Sequence, residues 1–176
     1  MNKIRKYLAT IVGDKNEENW YKPDLFIKNT LSKLPKELII LENPPRENEN
    51  YNCFVYVLGL NKDKKIIKET KGFIYSNFFQ TLINKGELEF TDSHKNGDII
   101  LYLNPKQFGS EITHSGIVQE NETIVSKWSW GPIIKHNIFD VPDFYGDRVK
   151  YVKGINLEKS KRLYNQYKEF NKDIHS

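Results

Sequence analysis

The stretch Asp98-Ile99-Ile100-Leu101-Tyr102-Leu103 limits the fold more than any other part of the chain. A run of apolar and aromatic residues, entered through Gly97-Asp98 and left through Asn104-Pro105, is too short for a stable helix and reads as a strand. The pattern after it stays β. Ile112 to Gln119 is a second expected strand and Thr123 to Trp128 a third, joined through the polar turn Glu120-Asn121-Glu122 as a hairpin. Ile133 to His136 is expected to be extended, and Asp147 to Lys153 forms a last strand.

Helical signals flank this block. Pro23 suits a first helical position, and Ile27, Leu31 and Leu34 recur at helical spacing until Pro35 stops them. A helix is expected from about Phe73 to Asn84, with Ile74, Phe78 and Leu82 on one face. Asn156 can cap a terminal helix carrying Leu163, Tyr167 and Phe170. Residues 1–22 are harder to assign, although Ile4, Leu8 and Ile11 have helical spacing. Leu38 to Leu41 reads as a short strand or extended lead-in, and Lys62 to Lys71 as a basic, polar connection. The chain is therefore α+β. No repeat or linker divides it, so its 176 residues form one domain: an extension over 1–49, a core over 50–154 and a C-terminal helix over 155–176.

The chemistry centres on Asn50-Tyr51-Asn52-Cys53-Phe54-Val55-Tyr56, which holds the only cysteine. A polar loop runs into an apolar segment, and Cys53 sits at the join. If that segment is a helix, its first turn offers unpaired N–H groups and the positive end of the macrodipole, which favour a thiolate. The plain alternative is a buried small hydrophobe.

Composition narrows the partners. Ten Tyr, ten Phe and three Trp argue for a packed globule. The net charge of +4 comes from 27 basic and 23 acidic residues scattered along the chain, a solvated surface more than a nucleic-acid footprint. The basic run Lys62-Lys64-Lys65-Lys68-Lys71 lacks interleaved aromatics. One cysteine excludes an internal disulfide and a cysteine-rich zinc site, and the four histidines lack metal-ligand spacing. No metal, cofactor, nucleic-acid or membrane partner is expected, and a reduced thiol in the cytoplasm is. The apolar stretch after the basic start, Tyr7 to Gly13, falls at the lower limit for a signal peptide and reads as mature structure.

A cysteine nucleophile needs a base, and the base an orienting group. His94 lies in a polar turn and His175 close to Ser176. His114 opens an apolar strand with Gly116 two residues on, and is expected to face the helix that bears Cys53. His136 follows Gly131-Pro132 closely enough for the chain to fold back and bring it near His114.

Taken in order, Asn52-Cys53-Phe54-Val55, Gly97-Asp98-Ile99-Ile100 and His114-Ser115-Gly116-Ile117 resemble the NlpC/P60-like branch of the papain-like cysteine hydrolases. The resemblance covers roughly residues 50 to 154. The stretch with Ser126-Lys127-Trp128, Gly131-Pro132, His136, Asp140-Val141-Pro142 and Tyr145-Gly146-Asp147 is similar to an uncharacterised bacterial group within that superfamily. The resemblance implies an antiparallel sheet packed against the cysteine-bearing helix. It also implies a thiol hydrolase or acyl transferase acting on an amide, peptide or isopeptide bond of a peptide or protein-derived substrate. Cys53 would be its nucleophile and His114 its base. The third position, usually His, Asn or Gln, falls here on Ser126. Asn52, Trp128, Trp130 and His136 are expected to contact substrate. The family's Asp-Cys-Ser-Gly is replaced here by Asn52-Cys53-Phe54-Val55, without the small residues that open its groove. The competing expectation is a non-catalytic module of the same fold, in which exposed Trp128 and Trp130 wall a groove for a peptide or protein partner.

Overall fold

The structure is a computed structural model that describes residues 3–12, 27–28, 30–105 and 111–172. Its centre is a six-stranded, wholly antiparallel sheet: β1 (Ile39–Glu42), β2 (Ile99–Leu103), β3 (Ile112–Val118), β4 (Thr123–Lys127), β5 (Ile133–Asn137) and β6 (Arg148–Val152), in the order β1-β5-β4-β3-β2-β6. The helices whose bounds are described are α1 (Lys3–Val12), α2 (Cys53–Val57), α3 (Lys64–Thr70), α4 (Ser76–Asn84) and α5 (Leu157–Tyr167).

Every residue of β2 is buried, because both faces of the sheet are covered. Ile99, Leu101 and Leu103 pack with Phe54 and Val57 of α2, Phe79 of α4 and Leu163 of α5. Ile100 and Tyr102 point the other way, into a second cluster with Leu8 of α1, Trp128, Ile134 and Tyr145. This alternation gives every strand two addresses, and the site depends on it.

Asp98, at the entry to β2, is a structural clip. It is buried, and its two carboxylate oxygens accept hydrogen bonds from the backbone N–H of Lys95 and of Gly154, each at 2.9 Å. The strand entrance is thereby tied to the chain leaving β6. Gly116 answers a packing need: a Cβ there would stand 2.6 Å from Ile124 Cγ2 and 3.1 Å from Ser126 Cβ.

The expected strands are present with ends moved by one or two residues. The terminal helix is capped as expected, with the Asn156 side chain accepting from Lys159 N–H at 2.9 Å. Phe170 lies beyond it in a 3-10 turn and is exposed. The helix around Phe78 starts at Ser76, later than Phe73. The polar connection over Lys62 to Lys71 holds a helix, α3, which Asp63 caps by accepting from Lys65 and Ile66 N–H. Its buried stripe narrows to Ile66, so periodicity had little to show. Around Leu31 the chain makes a 3-10 turn, Leu31–Lys33, where a continuous helix was expected. Pro23, His175 and part of the loop after Leu103 fall outside the described residues.

Candidate functional site

Cys53 is the first residue of α2, as the polar-to-apolar join suggested. Asn52 is the N-cap. Its Oδ1 accepts from Val55 N–H at 3.1 Å and Ile74 N–H at 3.4 Å, and its Nδ2 donates to Ile74 O at 2.7 Å. With both ends of its amide engaged, Asn52 shapes the helix start. α2 is short, ending before the left-handed Gly59.

Cys53 is 6% exposed. Burial pushes it up to about 11, while the Ser115 hydroxyl and amide, with the N–H groups of Phe54 and Cys53, pull back weakly. The resting thiol is therefore protonated at neutral pH. Its neighbour on β3 is Ser115, and His114 is not among the groups that act on it.

Strand parity explains this. Leu101 pairs with Ser115 and belongs to the cluster that contains Cys53. Tyr102 pairs with His114 and belongs to the opposite cluster. Successive side chains alternate faces. Ser115 therefore projects toward α2 and His114 away from it, correcting the expectation that His114 faces the cysteine helix. The His114 ring instead lies flat on Tyr145, with centroids 3.8 Å apart and planes 4° off parallel. It is fully buried, and desolvation, then His136, hold its pKa well below the ordinary imidazole value.

Ser126 also points away from Cys53 and orients a different histidine. His136 Nδ1 donates to Asn137 O at 2.8 Å, so its Nε2 accepts from Ser126 Oγ at 2.8 Å, and Ser126 Oγ accepts in turn from Trp128 Nε1 at 3.0 Å. This chain is complete within itself. Desolvation brings His136 down to about 4. Trp128 is fully buried and is no groove wall, which corrects the exposed aromatic surface expected there. Trp130 is half-buried, and its carbonyl accepts from Asn50 Nδ2 at 2.7 Å.

Two residues to which the sequence reading gave no role bear on Cys53: Lys127, on its side of the sheet, and Tyr145, in the opposite cluster. Lys127 is fully buried, and its ammonium donates to Asn50 Oδ1 at 2.9 Å, Ser129 O at 3.1 Å and Gly131 O. It also stands 5.2 Å from the centre of the Tyr51 ring. Burial lowers it to about 7, and the charge of Cys53 raises it. Tyr145 is held well above the ordinary phenol value by burial and by Cys53, so its hydroxyl stays protonated. Parity in β4 would have pointed to Lys127; Tyr145, in the 3-10 turn Asp143–Tyr145, was quoted in the resemblance but given no role.

Four buried side-chain polar atoms lack a hydrogen-bond partner among the described residues: His114 Nε2, Ser115 Oγ, Tyr145 OH and Ser160 Oγ. Ser115 borders Cys53, Tyr145 feels the charge of Cys53, and His114 is stacked on Tyr145. No group of His, Cys, Asp and Glu side chains among the described residues is arranged to hold a metal ion. No described helix is long and apolar enough to cross a membrane.

Fold and site together define an α+β protein whose six-stranded antiparallel sheet buries a cysteine at the start of a helix against one face. Residues 44–153, more than half of the chain, match the model of the family described as Domain of unknown function (DUF7689), and the protein belongs to that family. No curated protein and no solved structure matches the chain.

Proposed function

We propose that the protein is a thiol-dependent hydrolase or acyl transferase acting on an amide, peptide or isopeptide carbonyl, with Cys53 as the attacking atom and this structure as its closed state. The observation that carries the reading is the grouping of unpartnered polar atoms. A buried hydroxyl or imidazole nitrogen left without a partner costs about 1–3 kcal/mol, and such groups are rare away from functional sites. Here Ser115 Oγ borders the only cysteine, Tyr145 OH feels its charge, and His114 Nε2 belongs to the ring stacked on Tyr145. An incoming carbonyl would supply the missing acceptor for a hydroxyl. The N–H groups at the start of α2 and the protonated Tyr145 are donors suited to an oxyanion. His114 remains the proposed proton acceptor; its ring is stacked on Tyr145 and its Nε2 is unshared. The papain-like reading of the fold belongs to this proposal.

One experiment tests it. The folded protein is treated with iodoacetamide from pH 6 to pH 9 and followed by intact mass. Modification of Cys53 in the native state, faster than global unfolding allows, is expected. A thiol modified only after urea unfolding would defeat the reading.

One observation favours a second reading, a binding module. A cleft of about 450 Å³ beside α2 is lined by Tyr56, Gly59, Ile117, Ile133 and Leu157. Cys53 does not line it. Its volume and its mixed walls, apolar side chains beside Glu42, Asn61 and Lys62, suit a short segment of a peptide or protein partner. A native thiol inert to iodoacetamide, with peptide-induced shifts confined to these residues, would favour this reading over the first.

A further inference from the structure

α3 carries charge that the chemistry of Cys53 does not use. Its buried side is Ile66, with Ile67 half-buried beside it. Its other side is basic. Lys64 and Lys68 stand one turn apart, Lys65 lies next to them and Lys71 follows at the left-handed C-cap, all of them exposed. The two carboxylates of the segment are turned elsewhere. Asp63 caps α3 and meets Lys161 of α5 at 3.0 Å, and Glu69 meets Lys168, just past α5, at 2.7 Å. Among the described residues, no ion pair reaches Lys62, Lys64, Lys65, Lys68 or Lys71. Residues 61–72 hold five lysines against two carboxylates, a net +3, where the whole chain has +4.

These charges do nothing for the helix that carries them. Lys64 and Lys65 occupy its first turn, where the macrodipole disfavours a cation, and Lys64 repels Lys68. The basic side also leads somewhere. Lys62 lines the cleft beside α2, together with Tyr56, one turn past Cys53, and the apolar Ile117, Ile133 and Leu157. Lysine face and cleft are therefore continuous.

We propose that the outward side of α3 and this cleft form one docking surface, and that its occupant is a segment of a peptide or protein with an apolar side chain next to a run of carboxylates. The apolar side chain enters the cleft, and the carboxylates lie along α3. Glu42, which also lines the cleft, repels carboxylates from its own wall and so directs them toward Lys62. A nucleic acid fits less well, because residues 61–72 offer no arginine for base edges and no aromatic on which a base could stack. An anionic bilayer fits less well too, because no exposed apolar side chain stands among these lysines to enter it. The inference rests on the cleft reading of the preceding subsection and names its partner; it is independent of whether Cys53 reacts.

The test uses the full chain and a fluorescein-labelled peptide of one leucine followed by six glutamates, read by anisotropy. Wild type is expected to bind it, with Kd weakening about tenfold between about 50 and 300 mM NaCl. The variant Lys64→Glu/Lys65→Glu/Lys68→Glu changes exposed residues, should keep its melting temperature, and is expected to bind about tenfold more weakly or worse. A second arm needs no variant: the ¹⁵N spectrum of wild type should shift on adding the peptide at Lys62 to Lys71 and at Gly59 and Ile117. Equal binding by variant and wild type overturns the inference, as does the absence of binding to wild type. So does tighter binding of oligothymidylate, or of phosphatidylserine vesicles, than of the peptide. The two ways of failing are distinct. A peptide with glutamines for glutamates that binds as well, and shifts Gly59 and Ile117, keeps the cleft reading and overturns this inference. Shifts confined to α3 remove the cleft reading and the inference with it.

Discussion

Lowering the pH from 7 to 5 should destabilise this protein before its carboxylates matter. His136 is 3% exposed, and its Nε2 is occupied by the Ser126 hydroxyl. Desolvation lowers it from 6.5 to about 4. A depressed folded value means that the unfolded chain binds the proton more tightly. The stability tied to neutral His136 is therefore fully present above pH 6.5 and is lost as pH falls toward 4. For those two values the loss between pH 7 and pH 5 is about 2 kcal/mol. His114, lowered by burial and by His136, adds in the same direction. Other windows lie elsewhere. Lys127 shifts between about 7 and 10.5 and Cys53 between 9.0 and about 11, while Asp63 and Glu89, both lowered, titrate below 3.8 and 4.5. Urea unfolding at half-unit steps from pH 7 to pH 5 measures the slope. At this chain length about 2 kcal/mol corresponds to a fall in melting temperature of roughly 4–8 °C. Stability flat to within about 0.5 kcal/mol across the window, or a His136 ring signal titrating near 6.5, would refute the reasoning.

Ser126→Ala should cost about 1–3 kcal/mol, because Trp128 Nε1 and His136 Nε2 both lose their partner. Thermal unfolding checks this, and the Cys53 alkylation rate should not change, since Ser126 faces the other side of the sheet. Tyr145→Phe removes a hydroxyl with no partner and keeps the ring on His114. Its melting temperature should hold or rise while Cys53 alkylation slows, and a drop of several degrees would show that the hydroxyl is structurally engaged. Asp98→Ala strands the N–H groups of Lys95 and Gly154 and should cost about 2 kcal/mol or more in urea unfolding.

The sheet was legible because strand signals are local. Ile99 to Leu103 has no polar residue to divide its faces, and Glu120-Asn121-Glu122 marks its turn by composition. The structure adds the positive φ of Asn121 and Glu122 to that turn. The Asn156 cap was legible for the same reason. What failed depends on distant partners. α3 holds a lysine-rich segment in place through a capping Asp63 and one buried isoleucine. The Gly97-Asp98 pair was read as part of the family resemblance, whereas Asp98 clips two backbone amides, one 3 and the other 56 residues from it. Nothing near it in sequence names Gly154.

The site shows why residue type is a weaker guide than residue parity. His114, Ser126, Trp128 and His136 were chosen for their chemistry, and all four project to the face away from α2. In an antiparallel sheet this is no coincidence. Pairing on a common register keeps residues in contact on one face, so a histidine, its hydroxyl partner and the indole that donates to it travel together. Had His114 been correctly placed beside Cys53, Ser126 would have followed it there. The pairing of Leu101 with Ser115 reverses the assignment for the whole set at once, and Ser115 and Lys127, each one residue along, become the residues that meet the cysteine and its approach. A one-residue shift of β3 against β2 would return His114 to Cys53, but it would also carry Ile117 out of the cluster it shares with α2 and put Gly116 in its place, leaving a gap of one isoleucine side chain. Such a void costs several kcal/mol, so the sheet's own packing holds His114 on the face of Tyr145.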